Sequence, residues 1–411
     1  MTTAARLADL IREVSGTALP VRLRAWDGTE AGPRDAPVLI IRNRRALRRM
    51  LWAPGELGLA RAYVAGDVDV EGELADGFRR AWQASRSRSS SRLKLSTVDR
   101  IRVVSTGTRL GALGLPPKPP AAEAKTTGRR PELSNDFYAL LLDSHLAYSS
   151  AYFTEDGQSL HDAQTAKLEL ICHKLGLQQG MRLLDVGCGW GSLALYAAEH
   201  HGVHATGITL SEEQRTFITV RAAERGLDAL VDVRVQDYRE LGELPDMAGT
   251  FDAVSSIEMG EHVGDAHYGT YAAIMCRALK PRGRLLLQQM SRSLDAAPGG
   301  GAFIERYIAP DLHLRPLWQT LRYLQEAGLE IRGVEAMREH YVRTVDAWLE
   351  TYQTHHEQFV SLVGEEVARV WQLYLVGGRL AFEEARMGVD QVLAVKTTAS
   401  GASGLGLLAQ R

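Results

Sequence analysis

Residues 181–192 read MRLLDVGCGWGS. An apolar run, Leu183, Leu184 and Val186, stops at Gly187, and residues 191–200 then resume with helical spacing. Gly187, Gly189 and Gly191 let the backbone turn tightly and come close to a ligand. The helix behind them offers free N–H groups. The same alternation continues downstream. VHATGITL (203–210) reads as a strand and 211–225 as a helix. VDVRVQD (231–237), FDAVSSIE (251–258) and, after the Lys280-Pro281 turn, GRLLLQQM (283–290) read as further strands. Strands separated by helices predict an α/β domain with a parallel sheet, whose ligand lies beyond the strand C-termini at the switch point.

The loop departs from the dinucleotide pattern GxGxxG and begins at an acid, Asp185. That combination suits S-adenosylmethionine (SAM), which carries an amino acid and a sulfonium but no pyrophosphate; the competing reading is an ordinary glycine turn. The second strand ends near Thr209 and Gln214. The third ends in QDYRE, where Asp237 is placed to accept from an adenine amino group and Tyr238 to stack. A surface turn is the alternative for Tyr238 and Arg239. After the fourth strand comes SSIEMGEHVG (255–264). Glu258 and Glu261 share a face if this is a helical turn. They read either as bases, or holders of a base, at the mouth of the site, or as acids complementing a helix N-terminus.

The chain has 411 residues, 48 Lys plus Arg and 50 Asp plus Glu. Residues 1–130 carry a net charge of +11 and the rest −13. A basic first third suggests an anionic partner, and the absence of any nucleic-acid motif favours phospholipid over nucleic acid. No apolar run is long enough to span a bilayer, and the N-terminus lacks a signal-peptide core. Cys172, Cys188 and Cys276 form neither a disulfide framework nor a zinc pattern, so no metal and a cytoplasmic location are expected. Three regions are expected: a small α+β unit over 1–82, a basic flexible linker over 83–130 with a candidate amphipathic helix at 97–110, and a large domain over 131–411. PVLIIR and DVDVE read as strands of the first unit.

LLDVGCGWG, GITLSEEQ, QDYRE and EMGEHVG, in that order, resemble the cyclopropane fatty acid synthase and mycolic acid methyltransferase family. LSNDFYALLLDSHLAYSSAYF, FIERYIAP, HYVRTVDAWLETY and LYLVGGRLAFEEARMGVDQVLAVK extend the resemblance over about 131–396. LWAPGELGLARAYVAGDVDVEGEL resembles the accessory domain of the longer bacterial members, nearest the actinobacterial branch with the tuberculostearic acid methyltransferases. The resemblance implies a Rossmann-like class I SAM-dependent methyltransferase acting on the cis double bond of an unsaturated acyl chain in a phospholipid. By motif, Tyr148, Ser149, Asp185, Gly187, Gly189, Thr209, Gln214, Asp237 and Tyr238 would contact SAM. A bicarbonate used as the base would be held by Ser150, Glu261, Gln288, Met290 and Tyr341.

This chain departs from the family in several places. Ser150 stands where the family has cysteine, Gln288 where it has histidine, and Gly378 where it has a C-terminal cysteine. Ser and Gln still donate hydrogen bonds. The resemblance further implies a carbocation on the acyl chain, for which Phe303, Tyr307, Tyr341 and Trp348 are candidate aromatic faces. A 10-methylene product, passed to a separate reductase, is the expected outcome. A cyclopropane ring, methylation of a small molecule, and a non-catalytic SAM- or lipid-binding role are the alternatives. A peripheral location on the inner face of an anionic membrane is expected, and a homo-oligomer is left open.

Overall fold

The structure, a computed structural model, describes residues 1–15, 18–53, 55–86, 115–124, 133–241 and 247–406. The chain packs as two compact units. One comprises 1–133, 301–310 and 352–380; the other 134–300, 311–351 and 381–411.

In the first unit, β1 (Arg22–Arg24), β2 (Glu30–Ala31), β3 (Val38–Ile41) and β4 (Val68–Glu71) form a sheet in the order β2-β1-β3-β4. Leu7 of the first helix packs with Leu23, Ile41, Ala46, Leu47 and Val68. A second cluster joins Ala60, Tyr63 and Val64 to Phe303, Tyr307, Val370 and Leu373. Residues 301–310 and 352–380 are thus not part of the large domain expected from residue 131 onward. Their aromatic and aliphatic faces are buried in the first unit.

The 83–130 stretch, read as a linker without packed elements, is anchored in its described part. The helix Leu74–Arg86 runs into it, and Ala121–Ala124 forms one helical turn. Glu123 is buried there, bonded by Arg61, Arg306 and the Tyr307 hydroxyl, which donates at 3.2 Å. Two guanidinium groups offset the cost of burying that carboxylate and hold its pKa down against burial. The candidate helix at 97–110 lies outside the described residues.

The second unit is built on β5 (Arg182–Val186), β6 (His204–Thr209), β7 (Val231–Val235), β8 (Phe251–Ile257), β9 (Leu279–Arg292), β10 (Glu330–Ala336) and β11 (Met387–Val395). Their order is β10-β11-β9-β8-β5-β6-β7. The strands from β9 to β7 run parallel, and β11 lies antiparallel between β9 and β10. This is the sheet of a class I methyltransferase. Chain progression reverses between β5 and β8, which makes the ends of those two strands the switch point. Helices Leu160–Leu175 and Asp265–Ala278 bury apolar stripes on the sheet, including Ile171, Cys172, Tyr271 and Met275.

Candidate functional site

The glycine loop leaves β5 as the sequence predicts. Gly187, Gly189 and Gly191 have φ of +80°, +55° and +77°. A Cβ on Gly187 would stand 2.6 Å from the Met259 side chain, so the loop is packed directly on the turn after β8. Asp185 is buried and accepts from Ser255 Oγ at 2.8 Å. Burial pushes its pKa up to about 6, against the opposing pull of Ser255 and Lys167. An open glycine cradle beside a buried carboxylate fits the amino-acid end of SAM. Thr209 Oγ1 donates to Gln214 Oε1 at 2.6 Å at the end of β6. Asp237, past β7, is bonded by Arg239 and held below the usual carboxylate range by it. Tyr238 is half-buried, edge-on to Tyr271.

The turn after β8 carries both glutamates. Glu258 adopts φ +51°, a left-handed conformation that costs a non-glycine residue about 1–3 kcal/mol and persists only where surroundings enforce it. Its surroundings do so. Ser150 N–H and Gln288 Nε2 donate to Oε1, each at 2.8 Å, and Tyr341 OH donates to Oε2 at 2.7 Å. The Glu258 N–H donates to the Gln288 carbonyl at 2.7 Å. Glu261 is fully buried. Its Oε1 accepts from Met290 N–H at 2.5 Å, and its Oε2 has no hydrogen-bond partner among the described residues. Burial raises the pKa of both acids, opposed at Glu258 by the Ser150, Tyr341 and Gln288 hydrogen bonds and at Glu261 by the backbone N–H groups of Met290 and of Glu261 itself. Burial and then the neighbouring Glu258 push the Glu261 pKa up to about 8, which favours the proton on Glu261.

Side chains that the sequence motifs do not single out complete this centre. Lys167 is buried and donates to Ser149 Oγ at 2.8 Å. Burial lowers its pKa to about 8, while Glu258, Asp143 and Asp185 favour its charge. Gln164 Nε2 donates to the carbonyls of Ala147 and Ser149 and fixes the 147–150 segment. Arg315, also buried, donates to the carbonyls of Gly260 (3.1 Å) and Val263 (2.6 Å) and lies over the Tyr268 ring. It clamps the turn that carries Glu261. Gln288 is oriented in turn: its Oε1 accepts from Gln391 Nε2 at 2.9 Å, and Gln391 Oε1 accepts from Lys174 Nζ at 2.6 Å. An ammonium only donates, so the chain of amides has one sense and Gln288 must present N–H groups to Glu258. The sequence held one signal for this: Lys167 interrupts the apolar stripe of Ala163, Leu168 and Ile171.

A row of aromatic rings crosses the unit. Trp190 of the glycine loop meets Tyr138, with centroids 4.4 Å apart. Tyr138 meets Tyr148 at 5.6 Å, Tyr148 meets Trp348 at 5.4 Å, and Trp348 meets Tyr341 at 6.1 Å. Tyr341 stacks on Phe382 at 4.3 Å. Tyr148, Trp348 and Tyr341 thus belong to one array. Phe303 and Tyr307 do not: they lie in the core of the first unit.

The expected bicarbonate does not fit the donors present. The donors of Ser150, Gln288 and Tyr341 are taken by Glu258, and Met290 N–H by Glu261. The Ser150 hydroxyl turns to the Ala151 carbonyl. A bicarbonate would meet the Glu258 carboxylate with no donor left from this set. Among the described residues Asp143, His145 and His161 also gather, but protein partners occupy them: Asp143 accepts backbone N–H groups, and the histidines meet Thr165 and Ser144. All three cysteines are buried, with thiol pKa values raised by burial, which suits packing rather than nucleophilic chemistry.

Residues 121–392 match the family described as mycolic acid cyclopropane synthetase. The chain is 33% identical over 401 residues to a probable fatty acid methyltransferase of Pseudomonas putida, covering 96% of each protein. It is 29% identical over 410 residues to tuberculostearic acid methyltransferase UfaA1 of Mycobacterium tuberculosis, covering 94% of this chain and 90% of that one. Among solved structures, mycolic acid cyclopropane synthase CmaA1, complexed with SAH and CTAB, is 30% identical with a TM-score of 0.59, covering 64% of this chain and 95% of that one.

Proposed function

Because the chain belongs to the mycolic acid cyclopropane synthetase family, we propose that this SAM-dependent methyltransferase acts on the cis double bond of an oleoyl-type phospholipid acyl chain and forms a 10-methylene acyl product. The observation that carries the reading is the aromatic row that begins at the glycine loop and ends on Tyr341, the hydroxyl donor to Glu258. It joins a cation-stabilising wall to a carboxylate base.

Bound SAM supplies an electrophilic methyl group; Asp185 and the glycine cradle would hold it. An alkene is a weak nucleophile, so the protein contributes mainly by alignment and by keeping water away. The cation left on the acyl chain is stabilised by ring faces, here those of Tyr148, Trp348 and Tyr341. A carboxylate then accepts a proton from the new methyl group. Direct loss closes a cyclopropane. Loss after a hydride shift leaves an exocyclic methylene, which a separate hydride-donating reductase would turn into a methyl branch.

Similarity to UfaA1 over 94% of the chain, the first unit included, supports the methylene product. The names of the family and of CmaA1 support the cyclopropane alternative. Both products add one CH2, so intact mass does not separate them. Ozonolysis does: an exocyclic methylene is cleaved to a ketone, and a cyclopropane survives. With SAM and dioleoyl phospholipid vesicles, the expected fatty acyl product is the ozone-labile one. An ozone-resistant main product would reverse the choice, and equal turnover of soluble acceptors without vesicles would displace a phospholipid substrate.

A further inference from the structure

We infer that the carboxylate of Glu258 is the chain's own proton acceptor, standing where a bicarbonate ion was expected, so that turnover does not depend on dissolved bicarbonate. The inference rests on the acyl-chain reading above and names the base within it. The first ground is convergence. Ser150, Gln288 and Tyr341, on three separate segments, all aim their donors at this one side chain. A carboxylate and a bicarbonate share the planar O–C–O group, the delocalised charge and the acceptor directions, so a pocket built for one accepts the other. The second ground is conformation. Glu258 is held at φ +51°, where glycine sits without strain. With glycine at 258 the same donors would surround an empty carboxylate-sized space; with glutamate the space is filled from within. The third ground is access. Glu261 is fully buried and its Oε1 is bonded, whereas Glu258 is only half-buried and stands beyond the end of β8 at the switch point.

The step balances without a further reactant. After methyl transfer the positive charge lies on the acyl chain. A C–H bond of the new methyl breaks, its electron pair forms the carbon–carbon bond that quenches the cation, and the proton moves to a Glu258 oxygen. The neutral carboxyl returns the proton to water when the product leaves.

The test uses the full-length enzyme with SAM and dioleoyl phospholipid vesicles, in buffer stripped of carbon dioxide and with bicarbonate restored. Wild-type turnover is expected to be the same in both. Glu258→Gly is expected to lose at least about a hundredfold in stripped buffer and to regain at least about tenfold with bicarbonate or formate, the range a positioned base contributes. Glu258→Gln, which keeps the space filled, is expected to fall as far and gain nothing from either anion. A second readout needs no lipid: bicarbonate should raise the Tm of Glu258→Gly and leave wild type unchanged. Loss of wild-type activity on stripping, undiminished turnover of Glu258→Gly in stripped buffer, or a Glu258→Gly protein that binds SAM normally but responds to neither anion overturns the inference. If wild type turns over no phospholipid while the Tm effect holds, the substrate reading has failed and the anion-replacement reading has not.

Discussion

At the scale of single residues, the two glutamates divide their work by their hydrogen bonds. Glu258 gathers three donors, and Glu261, whose pKa burial pushes up to about 8, is the acid that favours a proton. Stability should report this. Glu261 has a folded pKa near 8 against an ordinary 4.5, so the fold binds its proton more tightly than the unfolded chain does. Its favourable contribution is complete below the ordinary value and is lost as pH rises through about 8. Glu261→Gln keeps the neutral shape at every pH. Calorimetry should therefore find its Tm close to wild type at pH 4.5 and above wild type at pH 9, by the equivalent of at least about 1 kcal/mol, the worth of one pKa unit. A gap that shrinks as pH rises would show that Glu261 is the ionised member. The spacing of Glu258 and Glu261 was legible in the sequence, and so was the loop from Asp185 to Gly191. Which glutamate matters was not. The answer depends on donors more than 80 residues away, at 150 and 341, and on a positive φ that no propensity predicts for glutamate.

At the scale of elements, the turn after β8 is held from outside itself. Arg315 binds the Gly260 and Val263 carbonyls and also reaches Asp265 at 3.2 Å. Arg315→Leu would leave two carbonyls without that donor and Asp265 with one cation fewer. We expect a stability loss of about 3 kcal/mol by denaturant titration, the range for breaking a buried charged contact. Turnover should fall while SAM affinity, which we propose is seated on the β5 loop, stays near wild type by calorimetric titration. Unchanged stability would remove Arg315 from the support of the turn. Strand and helix positions in the parallel part followed from apolar runs closed by glycine or a turn. The β10–β11 pair was not read as such. Its antiparallel insertion beside β9 is a matter of chain path, which a local hydrophobic pattern does not record. Arg315 was equally illegible: nothing around it announces a partner 52 residues earlier.

At the scale of the whole molecule, the charge division takes a different form from the one the sequence suggests. Arg42 pairs with Asp69, and Arg45 and Arg49 share Asp67, so part of the basic charge over 42–49 is offset within its own unit. The described residues contain no helix long and apolar enough to cross a membrane. If the enzyme meets an anionic bilayer through charge, the 83–130 stretch, with 11 Lys and Arg against Asp99 and Glu123, is the stronger candidate, each basic residue worth about 1 kcal/mol near such a surface. Replacing Arg88, Arg92, Lys94, Arg100, Arg102 and Arg109 by glutamine should weaken co-sedimentation with anionic vesicles far more than replacing Arg42, Arg45 and Arg49. Added salt should weaken wild-type binding likewise. Binding indifferent to lipid charge and to salt would reject the electrostatic reading.

The buried Glu123 gives that stretch a definite topology. The chain passes Arg86 within the first unit and is again fixed to it by residue 118, where Arg49 meets the Lys118 carbonyl, and by residue 123, where Arg61 and Arg306 close on the carboxylate. Both ends of the intervening stretch are thus fixed to the same unit. For a flexible loop closed at both ends on one body, halving the length changes the closing entropy by only about 0.6 kcal/mol. Length and charge between two points fixed to one unit can therefore change almost without reference to the chemistry of the other unit.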